Sequence, residues 1–181
     1  MAVVALVPCA AGGLESLADG LVRPLLDIGH EVTITATPSA HRWLRDSADD
    51  EKIRALTGFE VRSDVRLPGE RSPHPAPDVI VCAPATANTV AKMALGIADN
   101  QALTLLCENF ATKPLVVFPR INAAHARHPA WAGHLAALEA TGVRLVYGQD
   151  VWPLFEPREA PPGRAIPWAE ILRRISEAIP A

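Results

Sequence analysis

The sequence predicts an α/β fold: one three-layer, Rossmann-like (flavodoxin-like) domain over residues 1–181, with a doubly wound parallel sheet. Three observations predict it. Short, nearly all-apolar runs alternate with helical patterns along the chain, as expected for strands covered on both faces by crossover helices. The first two strands, at 2–7 and 31–37, enclose Leu14, Leu17, Leu21 and Leu25 at helical spacing, which makes a right-handed βαβ unit. A length of 181 residues, 49% hydrophobic, suits a single core, and no linker or internal repeat interrupts it.

Residues 2–7 form the first strand, followed by the small-residue turn Cys9-Ala10-Ala11-Gly12-Gly13. The helix after it carries Val22 and Leu26 beside the leucines. Pro24 removes a backbone donor and should kink this helix, and Gly29 stops it. The second strand, EVTITAT, alternates and is rich in β-branched residues. Pro38 and Ser39 open the next helix with Ser39 as N-cap, and Ile53 and Leu56 continue it to Gly58. A third strand is expected over 59–67, then a loop over 68–77 with four prolines and a glycine.

The fourth strand, 78–82, runs into a turn of small and hydroxylated residues, 83–89, and a helix that ends at Gly96. A short helix over 101–108, a fifth strand over 114–118 and an irregular stretch over 119–129 follow. Then come a helix over 131–140 and a sixth strand over 143–147. Residues 148–167 are rich in proline and expected to extend over the surface as a substrate or interface loop. Pro167 sits at a favourable entrance to a last amphipathic helix, 168–179.

Composition excludes several function classes. A net charge of −3 gives no electrostatic reason to bind nucleic acid. No apolar run approaches the roughly 20 residues that span a bilayer. Residues 1–7 lack the basic flank and the length of a signal peptide, so a cytoplasmic protein is expected. Cys9, Cys82 and Cys107 lie scattered within apolar segments, as reduced buried thiols do, and no Cys/His pair has zinc-site spacing, so no metal is expected.

Ligands of this fold class sit at the carboxyl ends of the strands, near the switch in strand order. Three predicted strand ends share a character there: Ala11-Gly12-Gly13, then Thr35, Thr37 and Ser39, then Thr86, Asn88 and Thr89. Each alone also reads as a turn or a helix cap. Together they suit a phosphate held by amides and hydroxyls at helix N-termini. The first turn is not G-x-G-x-x-G, and the second strand ends in Thr37 where an acid would bind an adenosine ribose, so a mononucleotide fits better than NAD. A P-loop and a G-x-S-x-G elbow are both absent.

The string Pro84-Ala85-Thr86-Ala87-Asn88-Thr89 closely resembles the P-A-S/T-A-N-T motif of the homo-oligomeric, flavin-containing cysteine decarboxylases, which include phosphopantothenoylcysteine decarboxylase and the lantibiotic-peptide decarboxylases. The likeness extends over 83–105, including Gly96-Ile97-Ala98-Asp99. Pro119-Arg120-Ile121-Asn122 is similar to the family's P-x-M-N motif, and Thr37-Pro38-Ser39-Ala40 resembles its T-x-S-A phosphate turn. The resemblance implies an FMN cofactor at a subunit interface of a trimer or a dodecamer of trimers. It implies oxidation of a cysteine-bearing small-molecule or peptide substrate so that carbon dioxide can leave. It assigns Gly12, Gly13, Thr37 and Ser39 to the FMN phosphate and ribityl chain, and Pro84, Ala85, Thr86, Ala87 and Asn88 to the flavin. Asn122 matches the asparagine that holds the substrate carboxylate.

Departures from the pattern bear on catalysis. The family's catalytic histidine precedes the fourth strand; here His74 stands in that region with a shorter, proline-rich spacer. His125, close after Asn122, is a second candidate acid or base. Residues 148–167 lack the cysteine that returns electrons in the phosphopantothenoylcysteine enzymes; Arg158 and Arg164 stand there instead, and arginines suit an anionic substrate. Other readings are an FMN-binding regulatory protein with catalysis lost, a flavin prenyltransferase, and a sugar-nucleotide-binding half of a glycosyltransferase, for which the chain is too short.

Overall fold

Apolar runs with no polar face are stable only between two covering layers. The computed structural model, which describes residues 1–179, puts them there. The strands are β1 (Val3–Leu6), β2 (Glu31–Ile34), β3 (Val79–Ala85), β4 (Leu115–Pro119) and β5 (Arg144–Leu145). All pair in parallel, in the order β2-β1-β3-β4-β5. The helices are α1 (Arg23–Asp27), α2 (Pro38–Asp46), α3 (Asp49–Thr57), α4 (Ala87–Leu95), α5 (Gln101–Glu108), α6 (Ala123–Ala126), α7 (Trp131–Ala140) and α8 (Trp168–Ala178).

Alternate strand residues feed two cores. Val4, Leu6, Val81 and Phe118 meet Leu17, Leu21, Leu25 and, from α8, Ile171 and Ile175. Ala5, Val7, Ile80 and Val117 meet Val90, Leu103, Leu106 and Leu138 of α4, α5 and α7. Each fully buried leucine contributes roughly 1.5–3 kcal/mol. This is the three-layer, doubly wound architecture expected. The strand order reverses between β1 and β3, so the crevice for a ligand opens at their carboxyl ends.

Four local expectations are corrected. Residues 59–67 form no strand: the chain touches the edge of β2 through a single bridge, Thr35 to Arg62, with Arg62 N donating to Ile34 O at 3.0 Å. Beyond it Asp64, Val65 and Arg66 are exposed, so nothing holds the alternating pattern to the sheet. The last strand is cut to Arg144–Leu145. The N-cap of α2 is Thr37, whose Oγ1 accepts the Ala40 N–H, and Ser39 lies inside the first turn. Pro38 at the first helical position needs no donor, which moves the start forward. The fourth strand runs on to Ala85 and α4 starts at Ala87, so Thr86 alone is the turn.

Pro24 acts upstream of itself. The segment winds as a 3₁₀ turn at Leu14–Ser16 and a π turn at Ala18–Val22 before becoming α-helical at Arg23. A missing donor favours such a change of winding. A Cβ on Gly20 would lie 2.2 Å from Trp168 Cδ1, so glycine there admits the α8 indole, whose Nε1 donates to Ser16 Oγ at 3.0 Å.

Residues 148–167 have no helix or strand, yet they do not lie loosely on the surface. Trp152 is 2% exposed and stands edge-on to Phe118, with ring centroids 5.5 Å apart. Ile166 fills the space a Cβ on Gly13 would take, 2.2 Å from its Cγ1, and Gly13 has φ +97°. Buried anchors thus fix this segment beside the first strand-end turn.

Candidate functional site

The carboxyl ends of the four longer strands are tied together beyond the regular ladder. Thr37 N donates to Pro8 O at 3.1 Å, Cys9 N to Pro84 O at 2.9 Å and Arg120 N to Ala85 O at 2.8 Å. The loops after β1, β2, β3 and β4 therefore meet around one crevice. It has two adjoining compartments that share Ala10, Thr86 and Asn88.

The first compartment, about 310 Å³, includes Thr37, Ser39, Thr86, Asn88, Lys92 and Asn100 in its lining. Two helices start into it. Thr37 caps α2 and Thr86 caps α4, its Oγ1 accepting the Thr89 N–H at 3.3 Å. The N–H groups of Ser39, Ala87 and Asn88 lie in first turns, where no intrahelical carbonyl is available to them. Two positive helix ends and these free donors are chemically suited to accept an anion. Asn100 holds its own wall by capping α5 through the Leu103 N–H at 3.0 Å. Lys92 is paired with Asp99.

Beneath this compartment lies a small buried network. Cys9 Sγ is 3.2 Å from Thr89 Oγ1, which is 3.2 Å from Thr86 Oγ1. Hydrogen bonding to the Cys82 thiol, and then to Thr89 and Thr86, holds the Cys9 thiol down to about 7 against its burial. The same contact and burial push Cys82 well up.

The second compartment, about 390 Å³, includes Ala11, Gly12, Ala87, Arg120, Asn122 and His125 in its lining. Its small residues leave a flat wall, and a Cβ on Gly12 would sit 3.5 Å from Arg120 Nη2. Asn122 caps α6: its Oδ1 accepts the His125 N–H at 3.0 Å, so its Nδ2 protons are the free end of the amide. His125 is exposed at the mouth.

Of the residues singled out by sequence, the structure brings together Gly12, Thr37, Ser39, Thr86, Ala87, Asn88, Asn122 and His125. Gly13 lines neither compartment: its N–H donates to Glu15 Oε2 and its Cα faces Ile166. Pro84 and Ala85 are buried in β3, where their carbonyls fix Cys9 and Arg120. His74 lies apart, in a separate cavity of about 250 Å³ with Thr33, Thr35, Arg62 and Arg66. Its Nε2 donates to Glu60 O at 3.0 Å, its ring stands edge-on to Phe59, and burial pushes its pKa down. Sequence reasoning missed Cys9, Lys92, Asn100 and the placement of Arg120. The last stands within the P-x-M-N-like string, where its side chain gives a signal that can be read once the strand end is located.

Comparison with known proteins places the chain among flavoproteins. A model of the Flavoprotein family matches residues 6–179. The coenzyme A biosynthesis bifunctional protein CoaBC of Thermococcus kodakarensis is 29% identical over 147 residues, 80% of this chain and 36% of that protein. CoaBC of Bacillus subtilis is 33% identical over 141 residues, 74% of this chain and 33% of that protein. The chain spans about a third of the length of these curated relatives. The crystal structure of the FMN-dependent cysteine decarboxylase SpaF is similar with a TM-score of 0.70 at 26% identity, covering 99% of this chain and 95% of that one.

Proposed function

We propose a function from one premise, that this chain belongs to the Flavoprotein family: the strand-end crevice binds FMN and serves the oxidative decarboxylation of a cysteine-bearing small-molecule or peptidyl carboxylate. The observation that carries this reading is the convergence of the α2 and α4 N-termini on one compartment, beside a second with a flat small-residue wall. The residues present fit the cofactor. Ser39, Thr86 and Asn88 offer amide and hydroxyl donors for a phosphate, while Ala11, Gly12 and Ala87 leave room for a planar ring.

When bound, FMN supplies a two-electron acceptor for the cysteine side chain of the substrate. Asn122 presents its Nδ2 protons to the substrate carboxylate and fixes its orientation, since its Oδ1 is held by the His125 N–H. The His125 imidazole, at the mouth, takes or gives the proton. A homo-oligomer fits the open mouth and the exposed apolar side chains of Trp43, Leu95 and Ile97, and sedimentation will read its size.

A second reading, an FMN-binding protein without decarboxylase activity, is favoured by the distance of His74 from the crevice, since the two share no lining residue. One experiment separates the two readings. FMN-loaded protein is incubated with phosphopantothenoylcysteine and with peptides ending in cysteine, and products are weighed by mass spectrometry. Loss of carbon dioxide and two hydrogens, abolished in Asn122→Ala, supports decarboxylation. Bound FMN with no product from either class supports the second reading.

A further inference from the structure

Several arginines are held in ion pairs, among them Arg54 with Glu60, Arg127 with Glu156 and Arg173 with Glu170. Arg120 and Arg164 are different. Arg120 leaves β4 with its N–H fixed by Ala85 O and turns its guanidinium along the second compartment, beside Asn122. Arg164 comes from the segment after Trp152. Both stack on that one buried indole, with Cζ 4.7 Å and 3.3 Å from its centroid, and Arg164 also lies 5.0 Å from the Phe155 ring. Among the described residues neither makes an ion pair, and Arg120 Nε and Arg164 Nη2 are buried without a hydrogen-bond partner. Burial pushes both pKa values down, the Glu15 carboxylate offsets this in part at Arg120, and Arg120 pushes Arg164 further down. Two like charges with unmet donors on one aromatic platform are costly unless an anion joins them. Planar forks of this kind match an oxyanion.

We propose that Arg120, which lines the second compartment, and Arg164, which shares its Trp152 platform, form a second oxyanion subsite at the edge of the crevice, so that the substrate carries another anionic group, a carboxylate or a phosphate, besides the carboxylate at Asn122. This rests on the flavin reading for the position of the reacting end. It makes the substrate at least a dianion and gives residues 148–167 a role in recognising it.

The test compares two thiol probes on FMN-loaded protein by calorimetry: 3-mercaptopropionate, with one carboxylate, and mercaptosuccinate, with two. The expected result is at least about tenfold tighter binding of mercaptosuccinate, with that preference lost in Arg120→Gln and in Arg164→Gln. Succinate and inorganic phosphate as competitors identify the source: displacement by succinate alone points to a carboxylate, and stronger displacement by phosphate points to a phosphoryl group. Equal affinities for the two thiols overturn the subsite. So do variants that keep the preference while losing FMN, which would give Arg120 to the cofactor. If the variants do not fold, phenylglyoxal labelling of the native protein decides: mercaptosuccinate must protect Arg120 and Arg164, and labelling unchanged by the probe overturns the proposal. If the preference persists in protein that takes up no FMN, the subsite stands and the flavin reading fails.

Discussion

The two walls of the crevice are built by different means. On the anion side each wall residue is fixed by its own neighbours: Thr37 by Ala40, Thr86 by Thr89, Asn100 by Leu103, all three residues apart. On the far side Arg120, which lines the second compartment, and Arg164 meet on the buried Trp152 from distant parts of the chain, and Phe118 packs edge-on against that indole. A wall of helix caps survives small changes, because each cap stands alone. A wall assembled by packing fails as a unit when its centre is removed.

Trp152→Ala tests that contrast with the largest effect. Removing a buried indole that supports two guanidinium groups should cost about 3–5 kcal/mol in denaturant unfolding. A cost no greater than that of a single cap would erase the distinction between the walls. Gly13→Ala comes next, at about 1–3 kcal/mol, because the new Cβ meets Ile166 at a backbone φ of +97°. The double variant Gly13→Ala with Ile166→Ala should lose less than the two single changes add up to, which a thermal melt reads directly. On the other wall, Thr86→Ala should cost only about 1 kcal/mol, the worth of one N-cap.

The smallest effect lies on α8, outside both walls. Arg173 and then Arg174 hold the Glu170 carboxylate down to about 2, from an ordinary value of 4.5. A carboxylate with a depressed folded pKa stabilises the fold above 4.5 and loses that contribution as the pH falls toward 2. Solvent screens these partners, so the effect is slight. Melting temperature against pH should fall less steeply across that window in Glu170→Gln, and identical slopes would show that the pairing adds nothing.

What the sequence revealed follows the same division. The helices Gln101–Glu108 and Trp131–Ala140 lie where the apolar period and their flanks put them, and the hydroxylated residues Thr37, Ser39, Thr86 and Thr89, which the sequence sets at strand ends, meet in one compartment. Residues 59–67 misled because alternation describes a strand but not its partner, and only Arg62 finds the edge of β2. Local preference favours Ser39 as the cap because it does not weigh Pro38 against Thr37. His74 matches the chemistry of an acid or base, but its ring nitrogen is committed to Glu60 O in another cavity. The Arg120–Trp152–Arg164 assembly depends on chain paths that no local pattern encodes.

The most direct test of the central claim is the affinity of the purified protein for FMN against riboflavin, read by quenching of flavin fluorescence. The two differ only in the phosphate that the α2 and α4 N-termini are proposed to hold. The account predicts FMN tighter by at least about a hundredfold, the worth of one or two charge-assisted hydrogen bonds, with most of the difference lost in Thr86→Ala combined with Ser39→Ala. Equal affinity for the two flavins, or no binding of either, would contradict it.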